Sequence, residues 1–309
     1  MKTVVITGAA GLVGQNLVAH LITRPDFRVV GIDNHNANMS ILRRLHPGIV
    51  AIEADLSQAG PWMEEFQGVD TVVLSHAQIG GLLREAFVAN NVTATKNVLK
   101  ACELHRVSYL VAISSSVVNS MAADLYSTTK LAQERMIDAC AIPHVTLRPT
   151  LMFGWFDRKH LGWLRRFMDR TPFFPIPGEG KYIRQPLYAG DLVSIIASAI
   201  NSRRTGKYDI SGLEKIYYVD MIRVIHRVVK AKSRIVHIPY RLFWLLLRTY
   251  ALVDRNPPFT TSQLEALVIP ETFSVIDWPG IFDVTPTPFM RAVEETFLDP
   301  HYSHVTLEF

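Results

Sequence analysis

The 309-residue chain is predicted to form an α/β fold with a doubly wound parallel sheet and a smaller C-terminal α/β domain. Short Val- and Ile-rich runs alternate with helical patterns as far as Arg148, and the first of these runs ends in spaced glycines. The alternation stops after Pro149, and Pro and aromatic residues cluster at 171–178. We therefore expect a dinucleotide-binding domain at 1–165 and a mainly substrate-binding domain at 166–309, some of whose segments return to the first domain.

The first predicted strand, residues 3–7, is followed by Gly8, Gly11 and Gly14. In a turn from strand to helix, Gly8 permits the tight turn, Gly11 lets the backbone approach a diphosphate, and Gly14 lets the helix pack closely on the strand. The N–H groups at the start of the helix then point at the bound anion. The spacing predicts a Rossmann-type dinucleotide site, and the alternative is a glycine-rich turn with no ligand.

The second predicted strand, residues 28–33, ends in the carboxylate of Asp33. An acid about 20 residues beyond the glycines lies where the adenosine ribose hydroxyls bind. A ribose 2′-phosphate would bring like charges together, and no Arg or Lys follows Asp33 before Arg43. The sequence therefore predicts NAD as the cofactor.

Further strands are predicted at 49–53, 71–75, 109–114 and 144–148. The serines Ser114, Ser115 and Ser116 stand at the carboxyl end of the 109–114 strand. Ligands of open α/β sheets bind at that edge. We expect one hydroxyl of this triplet to hold the substrate oxygen.

Tyr126 and Lys130 are four residues apart and share one face of a predicted helix. The ordinary pKa of a tyrosine is about 10, so its phenol is a poor base at neutral pH. A nearby ammonium and the positive ring of an oxidised nicotinamide would lower that pKa. An isolated Tyr-x-x-x-Lys pattern is often structural, but here it follows a dinucleotide turn and a serine triplet.

Composition argues against a nucleic-acid-binding protein, a disulfide-stabilised protein and a metalloprotein. Lys and Arg (32) slightly exceed Asp and Glu (28) and are dispersed, which favours phosphorylated small molecules over nucleic acid. Cys102 and Cys140 have neither metal nor disulfide spacing, which is typical of a reducing cytoplasm. His301 and His304 are expected to be solvated, and no metal site is predicted.

The apolar stretch 238–253 is interrupted by Arg241 and Arg248 and is too short to span a bilayer. We expect a buried or subunit-facing helix here, and the alternative is an interfacial helix that contacts lipid. The chain enters its first strand at once, so no signal peptide is expected. We predict a cytoplasmic protein with no membrane span.

Taken together, these motifs resemble the extended short-chain dehydrogenase/reductases of the NAD-dependent epimerase/dehydratase family, whose best-known members act on nucleotide sugars. Further motifs support the resemblance: Asp33-Asn34, Asp55-Leu56, Ala77, Asn91 in Asn-Val-Thr-Ala-Thr, Arg148-Pro149 with Gly154, and Arg184 seven residues before Asp191. The resemblance implies a cofactor site made of Gly8, Gly11, Leu12, Val13, Gly14, Asp33, Asn34, Asp55, Leu56, Ala77, Asn91, Ser114, Tyr126, Lys130 and Thr150.

The resemblance also implies the catalytic roles. Ser116 aligns with the catalytic Ser or Thr, Tyr126 with the acid/base, and Lys130 with the residue that binds the nicotinamide ribose. Arg184 matches an arginine that contacts the substrate diphosphate, which suits the bidentate binding of phosphate by guanidinium. The expected substrate-binding residues are therefore Ser116, Tyr126 and Arg184.

Two departures from the family pattern concern the substrate pocket. Only nine residues separate Ser116 from Tyr126, and Leu151 stands where sugar-nucleotide enzymes often have Asn. We predict an NAD-dependent nucleotide-sugar epimerase that works through a transient ketone, forms a homodimer and serves polysaccharide synthesis. The alternatives are a reductase or dehydrogenase with the same residues, and a nucleotide-binding scaffold subunit without turnover.

Overall fold

Strands and helices alternate along most of the protein, which a computed structural model describes over residues 1–119, 124–253 and 259–308. The strands are β1 (Lys2–Thr7), β2 (Phe27–Asp33), β3 (Val50–Glu53), β4 (Thr71–Leu74), β5 (Tyr109–Ile113), β6 (His144–Pro149), β7 (Met152–Phe153), β8 (Phe173–Pro177), β9 (Ile183–Arg184), β10 (Leu187–Tyr188), β11 (Gly206–Ile210), β12 (Ile216–Tyr217) and β13 (Arg234–Ile238).

The helices follow the same chain order. They are α1 (Leu12–Leu21), α2 (Asn36–Leu45), α3 (Arg84–Phe87), α4 (Ala94–Leu104), α5 (Leu125–Ala139), α6 (Leu161–Arg170), α7 (Ala189–Ser202), α8 (Tyr218–Val228), α9 (Tyr240–Val253), α10 (Thr261–Val268), α11 (Trp278–Phe282) and α12 (Phe289–Leu298). A π-helical turn, Val88–Thr93, joins α3 to α4. Short 3₁₀ turns occur at Pro61–Phe66 and Ser116–Asn119.

The central sheet has seven parallel strands in the order β3-β2-β1-β4-β5-β6-β11. The strand order reverses between β1 and β4, and open α/β sheets bind ligands at the carboxyl ends of the strands beside such a reversal. The predicted Rossmann-type sheet is confirmed. The three small sheets pair β7 with β10, β8 with β13 and β9 with β12.

Side chains of the sheet are buried on both faces. Val4 and Ile6 of β1 belong to one apolar cluster, and Val5 belongs to a second cluster on the other face. Parallel strands covered by helices on both faces have such continuous apolar runs. Helices α7 and α11 also contribute to the first cluster, through Leu192 and Trp278 for example.

A third apolar cluster lies outside the sheet and includes residues of α6, β8, α8 and α12. The helices and the small sheets of the later part of the chain therefore have a core of their own. The division into domains at residue 165 stays a prediction. No helix in the described ranges is long and apolar enough to cross a membrane.

Candidate functional site

The glycine turn connects β1 to α1. Gly8 has φ +72°, and a Cβ there would lie 2.6 Å from the backbone nitrogen of His76. A Cβ on Gly14 would lie 2.3 Å from the carbonyl oxygen of Gly8. At these two positions the fold itself requires glycine.

Gly11 differs from the other two glycines. A Cβ there would meet only the carbonyl oxygen of Gly8, at an ordinary 3.5 Å, and the φ of Gly11 is −80°. Gly11 is the N-cap of α1, so the half-buried Leu12 and Val13 lie in the first turn, where N–H groups lack partners within the helix. The open space at Gly11 fits a diphosphate against this helix end.

Asp33 lies at the carboxyl end of β2, beside the glycine turn. Its Oδ2 accepts a hydrogen bond from the Ala10 nitrogen at 3.0 Å, and its Oδ1 accepts one from the His35 nitrogen at 3.0 Å. An ionised carboxylate has about four lone-pair sites, so acceptor capacity is left for ribose hydroxyls. Asn34, next to it, is exposed.

The segments after β3 and β4 complete this edge of the sheet. Asp55 is exposed, Leu56 is buried and Ala77 is half-buried. This mixture of exposed and buried side chains suits residues that line a cleft for the adenine and the central part of the cofactor.

Asn91 is fully buried in the π-helical turn. Its Oδ1 accepts from the Gln78 nitrogen at 2.6 Å, and its Nδ2 donates to the Gln78 carbonyl oxygen at 3.1 Å and to Thr129 Oγ1 at 2.9 Å. Through these bonds, Asn91 holds the segment that contains Ala77 against helix α5. Its contacts in this structure make Asn91 a positioning residue.

Tyr126 lies in the first turn of α5, where the Asp124 carboxylate caps the helix by accepting from the Ser127 nitrogen at 2.7 Å. The side chain of Ser115 lies near the Tyr126 phenol and acts to lower its pKa. Ser116 is half-buried and begins the neighbouring 3₁₀ turn. Within the triplet the residue near the phenol is Ser115, and the catalytic role of Ser116 stays a prediction. Residues 120–123 of the short connection between Ser116 and Tyr126 lie outside the described ranges.

The electrostatics of Tyr126 differ from the expectation. Burial raises the pKa of the phenol, the side chain of Ser115 opposes this, and the charge of Asp124 adds to it. The lowering that we expected from Lys130 is not found. Tyr126 is thus held in its protonated form.

Lys130 is fully buried beneath the end of β5. Its Nζ donates to the Ile113 carbonyl oxygen at 2.7 Å and also to Gln133 Oε1. Burial lowers the pKa of the ammonium to about 7, and the charge of Glu134 opposes this. These contacts explain why Lys130 does not lower the pKa of the phenol.

A buried polar network supports Lys130, and the sequence analysis missed it. Gln133 Nε2 donates to Thr95 Oγ1 at 2.7 Å, and the ring nitrogens of His76 lie 3.0 Å from that hydroxyl and 2.7 Å from Thr7 Oγ1. Burial, with a smaller contribution from Lys130, lowers the pKa of His76 to about 3, so the imidazole is neutral. The position of His76 directly after the carboxyl end of β4 was the available signal.

Ser114 and Thr150 are both buried, at the carboxyl ends of β5 and β6. Next to them, Arg148 binds the buried carboxylate of Glu134 with two hydrogen bonds of 2.9 and 2.7 Å. This pair fixes α5 against β6.

Arg184 is engaged within the protein. Its guanidinium donates to the carbonyl oxygens of Ile269 at 2.8 Å and Ile183 at 3.0 Å, and also to that of Leu267 at the end of α10. Burial lowers the pKa of Arg184. A substrate diphosphate at this arginine would have to compete with these carbonyl groups.

Cys102 is buried and Cys140 half-buried, and both are free thiols. Among the described residues, no group of three or more His, Cys, Asp or Glu is placed to hold a metal ion.

The fold and the residues at the carboxyl edge define a dinucleotide-binding α/β enzyme. Residues 4–211 match the NAD dependent epimerase/dehydratase family, and the chain belongs to this family. The predictions of an enzyme, of its family and of NAD as cofactor are confirmed. Asp33, Gly11 and the free helix end of α1 fit that dinucleotide.

Two curated relatives come from different enzyme types. The sterol-4-alpha-carboxylate 3-dehydrogenase, decarboxylating, of Schizosaccharomyces pombe is 25% identical over 73% of this chain and 74% of its own length. An uncharacterized UDP-glucose epimerase of Bacillus subtilis is 24% identical over 74% of this chain and 83% of its own length.

Solved structures share the fold across nearly the whole chain. The UDP-glucuronic acid 4-epimerase of Bacillus cereus in complex with NAD has a TM-score of 0.74 at 20% identity, with 95% of this chain and 96% of that chain covered. The UDP-glucose 4-epimerase of Thermotoga maritima has a TM-score of 0.74 at 14% identity, with 95% and 97% covered.

Proposed function

We propose that the protein is an NAD-dependent epimerase of a nucleotide-activated sugar, which inverts one carbon through a transient ketone. The observation that carries the proposal is the placement of Tyr126, in the first turn of α5, beside Ser115 at the carboxyl end of β5. That edge also contains the glycine turn and Asp33. UDP-sugar epimerases of similar fold and the epimerase among the curated relatives support it.

Bound NAD supplies the hydride acceptor and returns the hydride. The chain's own part is to move one proton at the phenol oxygen of Tyr126. Oxidation of the substrate alcohol needs the phenolate of Tyr126 to accept the hydroxyl proton, and the phenol so formed would return that proton to the ketone oxygen in the second half-reaction. Because burial favours the protonated phenol, the positive charge of the oxidised nicotinamide would have to lower its pKa when the cofactor binds. Ser115 lies near the phenol oxygen, and Ser116 is the predicted partner of the substrate oxygen. Asp33 would accept from the ribose hydroxyls.

The decisive experiment measures whether NAD stays bound to the protein and whether a sugar is inverted without added cofactor. An epimerase returns the hydride within one turnover, so NAD should remain bound through gel filtration, and a UDP-sugar should be inverted without added cofactor. Absorbance at the reduced-nicotinamide band should stay constant. Stoichiometric consumption of NADH with a keto-sugar, and no inversion of the matching alcohol, would assign a reductase. Absence of turnover on all sugars and keto-sugars would favour the scaffold.

A second candidate is a dehydrogenase of an alcohol that carries no diphosphate. The specific observation is that Arg184 already donates to the carbonyl oxygens at the end of α10. The relative that is a sterol dehydrogenase also favours it. Arg184→Gln separates the two: the KM for a nucleotide sugar should rise about tenfold or more if the arginine binds the diphosphate. An unchanged KM would remove Arg184 from the substrate site.

The homodimer, the cytoplasmic location and the role in polysaccharide synthesis belong to this proposal as well. Light scattering after gel filtration measures the oligomeric state, and cell fractionation measures the location.

A further inference from the structure

Helix α9 exposes an apolar face to solvent. Leu242, Leu245, Leu246 and Tyr250 are 49%, 52%, 48% and 47% exposed. At about 100° per residue, these four side chains lie within an arc of roughly 140°. We call this arc the α9 apolar face.

The side of α9 next to Tyr250 packs on the protein. Phe243 is buried, and its ring stacks on that of Phe259 at a centroid distance of 6.3 Å. Phe259 in turn stacks on Trp163 of α6 at 6.4 Å. The helix is thus held by one side while its apolar face remains outside.

Cations flank this face. Arg241 and Arg248, two turns apart, are exposed along one edge of it, and the Arg248 guanidinium lies 5.1 Å from the Trp244 ring centroid. No Asp or Glu occurs between Asp220 and Asp254 in the sequence, and an exposed acid of α10, Glu265, contacts α9 by accepting from the Trp244 indole nitrogen at 3.1 Å. That interval has five more exposed basic residues, of which the first is paired with Asp220 at 2.9 Å: Arg223, Arg227, Lys230, Lys232 and Arg234.

An apolar face edged by cations complements an anionic lipid surface. The leucines would enter the boundary between headgroups and acyl chains, and the arginines would reach the headgroups. A second copy of the chain is a poorer occupant, because an antiparallel two-fold contact through this face would place the cationic edges of both chains together, and neither two-fold arrangement brings an acid of α9 opposite the arginines. We propose that α9 is an interfacial helix that docks the protein on membranes containing anionic phospholipid.

The test is cosedimentation of the full-length protein with vesicles of phosphatidylcholine alone or mixed with phosphatidylglycerol. Binding should require phosphatidylglycerol and weaken at high salt. Arg241→Gln with Arg248→Gln should weaken binding by roughly fivefold per charge, since one basic residue near such a surface contributes about 1 kcal/mol. Leu245→Glu with Leu246→Glu should abolish binding.

Matched controls lie on α4. Leu104 is 62% exposed, and Lys96 and Lys100 are exposed on the same helix. Leu104→Glu and the pair Lys96→Gln with Lys100→Gln should bind vesicles as the wild type does. Circular dichroism should show every variant folded.

Several outcomes would overturn the proposal. These are equal binding to both vesicle types, equal losses in the α4 controls, or no binding by the wild-type protein. Conversion of a dimer to a monomer by Leu245→Glu with Leu246→Glu, without vesicle binding by the wild type, would make a second copy the occupant.

Discussion

We expect the selectivity for NAD over NADP to depend on one carboxylate, that of Asp33. Because it is held by two backbone N–H groups, it cannot easily turn away from a ribose 2′-phosphate. We expect NAD(H) to bind more tightly than NADP(H) by about 1 to 3 kcal/mol, and Asp33→Asn to remove most of that difference. Calorimetry with both dinucleotides measures it, and Asp26→Asn at the opposite end of β2 is the control. Equal affinities in the wild type would overturn the ribose assignment.

Removal of the Tyr126 hydroxyl is expected to change turnover and not cofactor binding. Tyr126→Phe removes the proton donor from a half-buried position without changing the packed ring. Turnover should fall by roughly two or more powers of ten, while the affinity for NAD stays nearly unchanged. The matched control is Tyr208→Phe, which removes a hydroxyl that donates only to the Thr205 carbonyl oxygen. Unchanged turnover in Tyr126→Phe would exclude the proposed mechanism.

Local spacing predicts some site residues better than others. Asp33 and Tyr126 follow from their distances to the glycines and to Lys130 along the chain, because strand and helix geometry fix where they project. The partners of Arg184 could not be predicted in this way, since Leu267 and Ile269 are more than 80 positions away in the sequence. The same holds for Lys130, whose burial against Ile113 depends on the packing of α5 on the sheet.

Among the elements, the π-helical turn Val88–Thr93 matters because it directs Asn91 inward. Asn91→Ala would leave the backbone N–H and carbonyl of Gln78 without these partners. We expect a loss of about 1 to 3 kcal/mol in the free energy of unfolding and weaker NAD binding. Denaturant unfolding and calorimetry measure the two effects.

Asn90→Ala is the comparison for that turn, because among the described residues Asn90 Nδ2 donates to the side chain of Gln78, at 2.9 Å, and not to its backbone. Its effects on stability and on NAD binding should be smaller. Equal effects of the two variants would mean that Asn91 does not position the segment.

Five of the six predicted strands were recognisable because their apolar runs are buried within the sheet, whereas β3, at the other edge, is partly exposed and was recognisable from the short apolar run at 49–52. Strand β11 was not predicted, and its composition explains this. Lys207 and Asp209 make Gly206–Ile210 polar and largely exposed, as suits a strand at the edge of the sheet. Edge strands lack the continuous apolar run that identifies central ones.

At the scale of the whole molecule, Asp191 connects two of the apolar cores. It lies in the first turn of α7, which packs on the sheet, and accepts from the nitrogen and hydroxyl of Thr287 at 3.1 and 2.7 Å. Thr287 lies just before α12, whose Phe289 belongs to the third cluster. This contact links the helix that packs on the sheet to the segment that begins the third cluster's α12.

The stability of that connection should depend on pH. Burial raises the pKa of Asp191 to about 6 from an ordinary 3.8, although the hydrogen bonds from Thr287 oppose the rise. Between those values the folded protein binds more protons than the unfolded chain, so this group adds stability as the pH falls from about 6 towards 4. Its contribution is lost as the pH rises through about 6.

Asp191→Ala should therefore cost about 1 to 3 kcal/mol of unfolding free energy at pH 7, through the unpartnered Thr287 donors. At pH 5 the cost should be larger by about 1 kcal/mol, because the variant lacks the extra proton uptake. Denaturant unfolding at both pH values measures the difference. Asp220→Ala, which removes an exposed first-turn acid of α8, should cost less than about 1 kcal/mol at either pH. A cost for Asp191→Ala that does not grow on acidification would show that the carboxyl titrates normally and that its burial does not couple the two cores to pH.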